Sequence, residues 1–253
     1  MTKIIAISNQ KGGVGKTTTA ISLSGAFAKL NKSVLIIDMD PQGNAGRGLG
    51  LDPTAVRKTI LDALTNEVDI NKTIRKSENK SIDVIMANLK LATLETKTGD
   101  NEPLYLLKNA ISKLNKQYDF IIVDCPPSLG LLSLNALCAA DQVLVPVQCE
   151  YYALEAVAQI LSTISRVQKN YNQNLEILGF LLTMYDARLK LATDITTEVR
   201  SLFKEKTFVT EIPRNNSIAE AAYYGKPVTD FRPTATGSLA YLSLAREILN
   251  NGK

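Results

Sequence analysis

The sequence predicts an α/β fold, a doubly wound, mostly parallel sheet flanked by helices, and three observations carry that expectation. Short β-branched runs alternate with longer helical periods. The runs are apolar almost throughout, as strands buried on both faces are, rather than alternating in and out. A glycine-rich loop, NQKGGVGKTTTA (9–20), stands between the first run and the first helix.

The runs are KIIAIS (3–8), SVLIID (33–38), IDVIMA (82–87), FIIVD (120–124), QVLVPV (142–147) and LEILGFLLT (175–183). Between the first two, Leu23, Phe27 and Leu30 fall on one face of a helix beginning near Lys16. Leu154, Val157, Leu161, Ile164 and Gln168 track one face of another. Residues 237–250, with Leu239, Leu242, Leu244, Ala245 and Ile248, read as a terminal helix packed on the sheet. Strand, helix, strand in repetition puts the ligand crevice at the carboxyl ends of the strands. No Pro/Gly/Ser-rich linker, internal repeat or low-complexity tract interrupts residues 1–253, which read as one domain.

Composition narrows the chemistry. With 253 residues, 45% hydrophobic and 21% charged, the chain can bury a core. Its 29 Lys+Arg against 25 Asp+Glu give a net charge of +4, too mild for a general polyanion binder but enough for a local basic face. There is no histidine, which removes His acid/base chemistry and His metal sites. Cys125, Cys138 and Cys149 lack the two-residue spacing of a zinc or redox pair and make no disulfide framework, which fits a reducing compartment. Residues 1–8 lead straight into the loop and leave no room for a signal peptide, and no apolar stretch approaches the roughly 18 residues of a membrane span. A cytoplasmic protein without a membrane anchor is expected.

In the loop, Gly12, Gly13 and Gly15 let backbone N–H groups turn toward an anion, and the following helix adds its positive N-terminal end. Lys16 can reach the β/γ-phosphates of a nucleotide, and Thr17 offers a hydroxyl to Mg²⁺. The pattern G-x-x-x-x-G-K-[ST] is not fully met, because Gln10 stands where its first glycine would fall and Lys11 and Gly12 follow. Two acidic sites lie at strand ends. DMDPQGN (38–44) carries Asp38 and Asp40, for which a turn-forming Asp-Pro is the alternative reading. IIVDCPPSLG (121–130) ends a hydrophobic strand in Asp124, the form of a carboxylate that holds Mg²⁺.

The K-G-G-V-G-K-T form resembles the deviant Walker A loop of the ParA/MinD group of ATPases. Further segments, PVQCEYYALE (146–155), LLTMYDAR (181–188), IPRN (212–215) and GKPV (225–228), resemble in order and spacing the small chromosome-partitioning ATPases of the ParA/Soj type, from about Lys3 to Ile248. The resemblance implies a P-loop fold and ATP hydrolysis with Mg²⁺. By it, Lys11, Gly12, Gly13, Val14, Gly15, Lys16, Thr17 and Thr18 bind the nucleotide, and Lys11 reaches the phosphates of the partner subunit in an ATP-dependent homodimer. Asp40 positions the attacking water, Thr17, Asp124 and Asp38 form the metal shell, and Pro213 and Asn215 meet the adenine. It also implies that the dimer binds double-stranded DNA non-specifically, associates with the nucleoid and is stimulated by a ParB/Spo0J-type protein.

Arg188 matches a DNA-binding arginine of the family, whereas Ser217 stands where the Soj pattern has an arginine and Ala222 where it has a proline. Lys190, Arg214 and Lys226 join the DNA-binding candidates on charge and neighbourhood, since residues 166–253 hold 12 Lys+Arg and 9 Asp+Glu. A MinD-like ATPase positioning a division or membrane-associated machine is the alternative. Its basic amphipathic helix is not expected in LAYLSLAREILNNGK, nor is an N-terminal DNA-reading domain before the first strand.

Overall fold

The computed structural model describes residues 2–96 and 103–251. Seven strands among them form one sheet: β1 (Lys3–Ile7), β2 (Val34–Asp38), β3 (Ile74–Lys76), β4 (Ile82–Ile85), β5 (Phe120–Asp124), β6 (Gln142–Gln148) and β7 (Glu176–Thr183). Their order is β3-β4-β2-β5-β1-β6-β7. Every neighbouring pair is parallel except β3 with β4. All six expected strands are present. The seventh, β3, was not foreseen, because IRK at an edge carries no apolar run and exists by pairing Ile74 with Ile85 and Lys76 with Asp83.

The helices are α1 (Lys16–Lys29), α2 (Asn44–Arg47), α3 (Ile60–Leu64), α4 (Leu106–Ile111), α5 (Leu131–Ala139), α6 (Ala153–Asn170), α7 (Lys190–Phe203), α8 (Asn216–Tyr223), α9 (Val228–Phe231) and α10 (Thr236–Asn251). Successive strand side chains go to opposite faces, so the sheet divides the core in two. Leu35, Ile37, Ile121, Val123, Val143 and Val145 pack with residues of α3 to α7. Val34, Ile36, Ile122 and Leu144 pack with α1 and α10. Phe27 of α1 stacks on Phe120 at 4.0 Å between ring centroids.

Two helix faces differ from the expected ones. On α6 the buried apolar residues are Ala153, Ala156, Val157, Ile160, Ile164 and Val167, while Leu154 and Leu161 lie at the margin. Small alanines mark this face as well as leucines do, because they let the helix approach the sheet. On α10 the core residues are Tyr241, Leu244, Ala245 and Ile248, and Leu239 is exposed. The Tyr241 ring is fully buried because its hydroxyl has a partner, Thr19 Oγ1 at 3.2 Å.

From β1 the chain moves to β2 and β4 on one side, returns through β5, and leaves through β6 and β7 on the other. The reversal falls around β1 and β5. It places the crevice above their carboxyl ends, where doubly wound sheets bind ligands.

Candidate nucleotide site

Parallel register brings three strand ends level, since Ile7 and Asp38 both pair with Asp124. The loop after β1 crosses above them. Gly13 (φ 75°) and Gly15 (φ 90°) adopt left-handed backbone, which side chains other than glycine rarely tolerate, and nothing lies within 4 Å of where a Cβ would stand on either. That open cradle at the N-terminus of α1 is the form of an anion site. Val14 braces it from below: its side chain is buried and its carbonyl accepts the Thr183 hydroxyl at 2.9 Å.

Lys16 is 7% exposed, and burial lowers its pKa against the opposing pull of Asp124. Its ammonium donates to the Lys11 carbonyl at 3.0 Å, so the cation arches back over the loop. Lys11 lies beside it, with its own ammonium 3.3 Å from Glu150 Oε2.

The three acids at the strand ends have different circumstances. Asp38 is fully buried, and its two oxygens accept the N–H groups of Asp40 and Ala45, both at 3.0 Å. It ties down the loop after β2, as each oxygen accepts one backbone N–H. Burial foremost, with Asp40 alongside, raises its pKa to about 7 despite those bonds. Asp40 is nearly buried and accepts the Gln42 N–H with Oδ1 at 2.9 Å, while its Oδ2 accepts no hydrogen bond among the described residues. Asp124 is fully buried with neither oxygen in hydrogen-bonding geometry to a donor. Burial, then the neighbouring Asp38, push its pKa well up, while Thr17 and Lys16 pull it down.

A buried carboxylate without a donor is costly unless a cation is its intended partner. Mg²⁺ is held by one or two protein oxygens together with phosphates. Asp124 and the Thr17 hydroxyl beside it fit that role, and the glycine cradle fits the phosphates. Cys125, next in sequence, is buried, and burial pushes its thiol up to about 12.

Beside the loop, Gly15, Thr18, Thr183, Met184, Pro213 and Asn215 are among the residues lining a cavity of about 320 Å³. Met184 has φ 53°, a conformation that for a non-glycine residue stores strain typical of ligand sites. Pro213 presents its ring surface there. Asn215 lines it too: its Oδ1 caps α8 through the Ser217 N–H at 2.9 Å, and its Nδ2 donates to Thr236 Oγ1 at 2.7 Å. The two bonds anchor the amide to α8 and α10 at the edge of the cavity.

The basic candidates do not converge into one patch of free charge. Arg188 forms a bidentate pair with Asp186, 2.9 and 2.6 Å, and holds that carboxyl at about 2. Lys226 pairs with Glu78 at 3.2 Å. Lys190 and Arg214 have no ion pair among the described residues. Ser217 is buried, and its hydroxyl lies 3.4 Å from Arg232 Nη1. Sequence reasoning missed Asn9, Gln148, Glu150, Thr183 and Tyr241. Asn9, two residues before Lys11, had local signal. Glu150, Thr183 and Tyr241 act across separations of more than a hundred residues, and Gln148 acts through Glu150.

A strand, a glycine cradle with its lysine and threonine, and an unpaired aspartate on the adjacent strand define a P-loop ATPase of the deviant Walker A class. A family model described as an AAA domain matches residues 2–177. The chain is 46% identical over 253 residues to the sporulation initiation inhibitor protein Soj of Bacillus subtilis (strain 168), with 100% of both chains covered. Cobyrinic acid a,c-diamide synthase from Mycobacterium smegmatis, with bound ADP and magnesium, matches with a TM-score of 0.87 and 35% identity over 100% of this chain and 96% of that one. The cell division ATPase MinD of Pyrococcus furiosus matches with a TM-score of 0.83 and 27% identity over 99% and 100%. The chain belongs to the Soj/ParA family of chromosome-partitioning ATPases, whose cofactors are ATP and Mg²⁺.

Proposed function

We propose that residues 1–253 act as one ATPase domain that works as a DNA-partitioning switch: it binds ATP, pairs with a second copy, holds double-stranded DNA without sequence preference in the nucleoid, and hydrolyses ATP when a ParB/Spo0J-type protein engages it. The observation that carries this reading is the unpartnered Asp124 carboxylate beneath a glycine cradle bearing two lysines.

Phosphoryl transfer needs positioning and charge neutralisation more than a strong base, which suits a site without histidine. Lys16 turns from the Lys11 carbonyl to the phosphates, where its charge offsets theirs in a partly dehydrated loop. Thr17 and Asp124 would hold Mg²⁺, which would supply positive charge to offset that of the phosphates. Asp40, its Oδ1 fixed by Gln42, accepts a hydrogen bond from the attacking water with Oδ2. Asp38 holds Asp40 in place through its N–H. Pro213 supplies a flat apolar contact to the base, and the backbone around Asn215 supplies polar ones. Lys11 acts on the nucleotide of the second subunit.

For DNA, Lys190 and Arg214 contribute free charge, while Arg188 and Lys226 exchange Asp186 and Glu78 for phosphates. Pairing two subunits doubles these contacts, and each phosphate neutralised adds about −0.9 to the slope of log K against log salt. DNA retention across a salt series is therefore expected to be tight and steeply salt-dependent with ATP, and weak and shallow with ADP. Equal retention with both nucleotides would remove the DNA half of the proposal and favour a MinD-like switch acting on a membrane-associated machine. No helix among the described residues is long and apolar enough to cross a membrane.

A further inference from the structure

Lys11 is tied at three points. Its N–H donates to Asn9 Oδ1 at 3.1 Å, and the Asn9 Nδ2 donates to the Pro146 carbonyl at 2.7 Å, which stitches the loop to the end of β6. Its carbonyl accepts the Lys16 ammonium. Its own ammonium pairs with Glu150 Oε2 at 3.3 Å.

Glu150 is oriented for this contact. Gln148 Nε2 donates to its Oε1 at 2.6 Å, and its N–H donates to the Gln148 carbonyl at 2.8 Å in a tight turn at the end of β6. Both carboxylate oxygens are thus engaged, one by Gln148 and one by Lys11. The two side chains are 27% and 50% exposed, so the pair is weak enough to exchange.

An ammonium resting on a carboxylate of its own subunit cannot at the same time reach into another. A lysine head is a point charge on a flexible stem, and it leaves a single carboxylate for a denser anion at little cost. We propose that Glu150 is a positioning residue for Lys11, holding its ammonium within the unpaired subunit until the nucleotide of a second copy displaces the carboxylate. The proposal rests on the reading of Lys11 as acting across the dimer. It also couples the two lysines: a phosphate that draws Lys16 off the Lys11 carbonyl removes one of the three ties on Lys11, so filling the loop loosens the residue that Glu150 restrains.

The test is sedimentation at saturating non-hydrolysable ATP analogue, with the dimer dissociation constant measured for the wild type, Glu150→Gln, Lys11→Ala and the double variant. Two exposed pairs are released per dimer, so Glu150→Gln should tighten the dimer roughly two- to tenfold. Analogue affinity, measured at protein concentrations below dimerisation, should stay at the wild-type value, as a general change of loop structure would not allow. Gln148→Ala, which removes the bond orienting Glu150, should act in the same direction by less. In the Lys11→Ala background Glu150→Gln should have no effect. A Glu150→Gln dimer of unchanged or lower affinity would overturn the proposal, as would equal tightening without Lys11. Lys11→Ala dimerising as tightly as the wild type would overturn the underlying cross-subunit reading instead, and would do so with Glu150 untouched.

Discussion

Asp83 on β4 and Asp124 on β5 belong to one sheet and are 1% and 0% exposed, yet the first has three donors on Oδ2 and an ammonium beside Oδ1, while neither oxygen of the second is in hydrogen-bonding geometry to a donor. Around Asp83, Lys76 lies 2.9 Å from Oδ1, and Lys116 and the Tyr118 hydroxyl donate to Oδ2 at 2.8 Å. Burial drives its carboxyl up, and Lys116, Lys76 and Tyr118 more than reverse that, leaving it below its ordinary value. Burial, then Asp38, raise Asp124 more than Thr17 and Lys16 lower it. The first arrangement completes itself within the chain. The second is completed only by something added, and it lies at the end of the sheet where the crevice opens. Equal burial with unequal pairing separates a carboxylate that holds the fold from the one proposed to meet a cation.

The largest expected effect breaks the paired member. Asp83→Asn should destabilise the protein by about 3 kcal/mol in chemical denaturation, at the lower end for a buried pair because Lys76 and Lys116 can turn out to water. ATP affinity should be unchanged. Asp124→Asn should do the reverse in the nucleotide-free protein, raising stability by about 1–2 kcal/mol, because burial and the neighbouring Asp38 disfavour an ionised carboxylate there. A loss of stability there would mean that Asp124 already has a structural partner.

A smaller contrast lies in pH dependence. Asp38 has its carboxyl raised to about 7 from 3.8, so its contribution to stability is complete below 3.8 and is lost as pH rises toward 7. Asp83, lowered, contributes in the opposite sense: its stabilisation is present above the unfolded value and lost as pH falls. Denaturation midpoints of nucleotide-free Asp38→Asn should therefore decline less than those of the wild type between about pH 4 and 7, while Asp83→Asn should lose less on acidification. Identical slopes in all three proteins would deny the contrast.

Much of this was legible in the sequence because buried parallel strands advertise themselves as apolar runs and a phosphate cradle needs glycines at fixed spacing. Gly13, Gly15, Lys16, Thr17 and Asp124 all lie in such runs or at their ends. Pairing across the chain was not legible. Glu150 stands 139 residues from Lys11, and Thr183 stands 169 from Val14. Residue type alone also does not say which partners a polar group has: Asp38 accepts the N–H groups of Asp40 and Ala45, and Asn215 bonds to Ser217 and Thr236. The edge strand β3 escaped notice because its charged residues are ordered by Asp83 rather than by an apolar pattern.

The most direct test of the central claim, that Asp124 is left unpaired for a nucleotide-bound cation, is calorimetric titration of ATP into wild type and Asp124→Asn, each with Mg²⁺ and with chelator. The wild type should bind ATP more tightly with Mg²⁺ than without, and Asp124→Asn should bind it equally in both. The same dependence on Mg²⁺ in the variant as in the wild type would contradict the account.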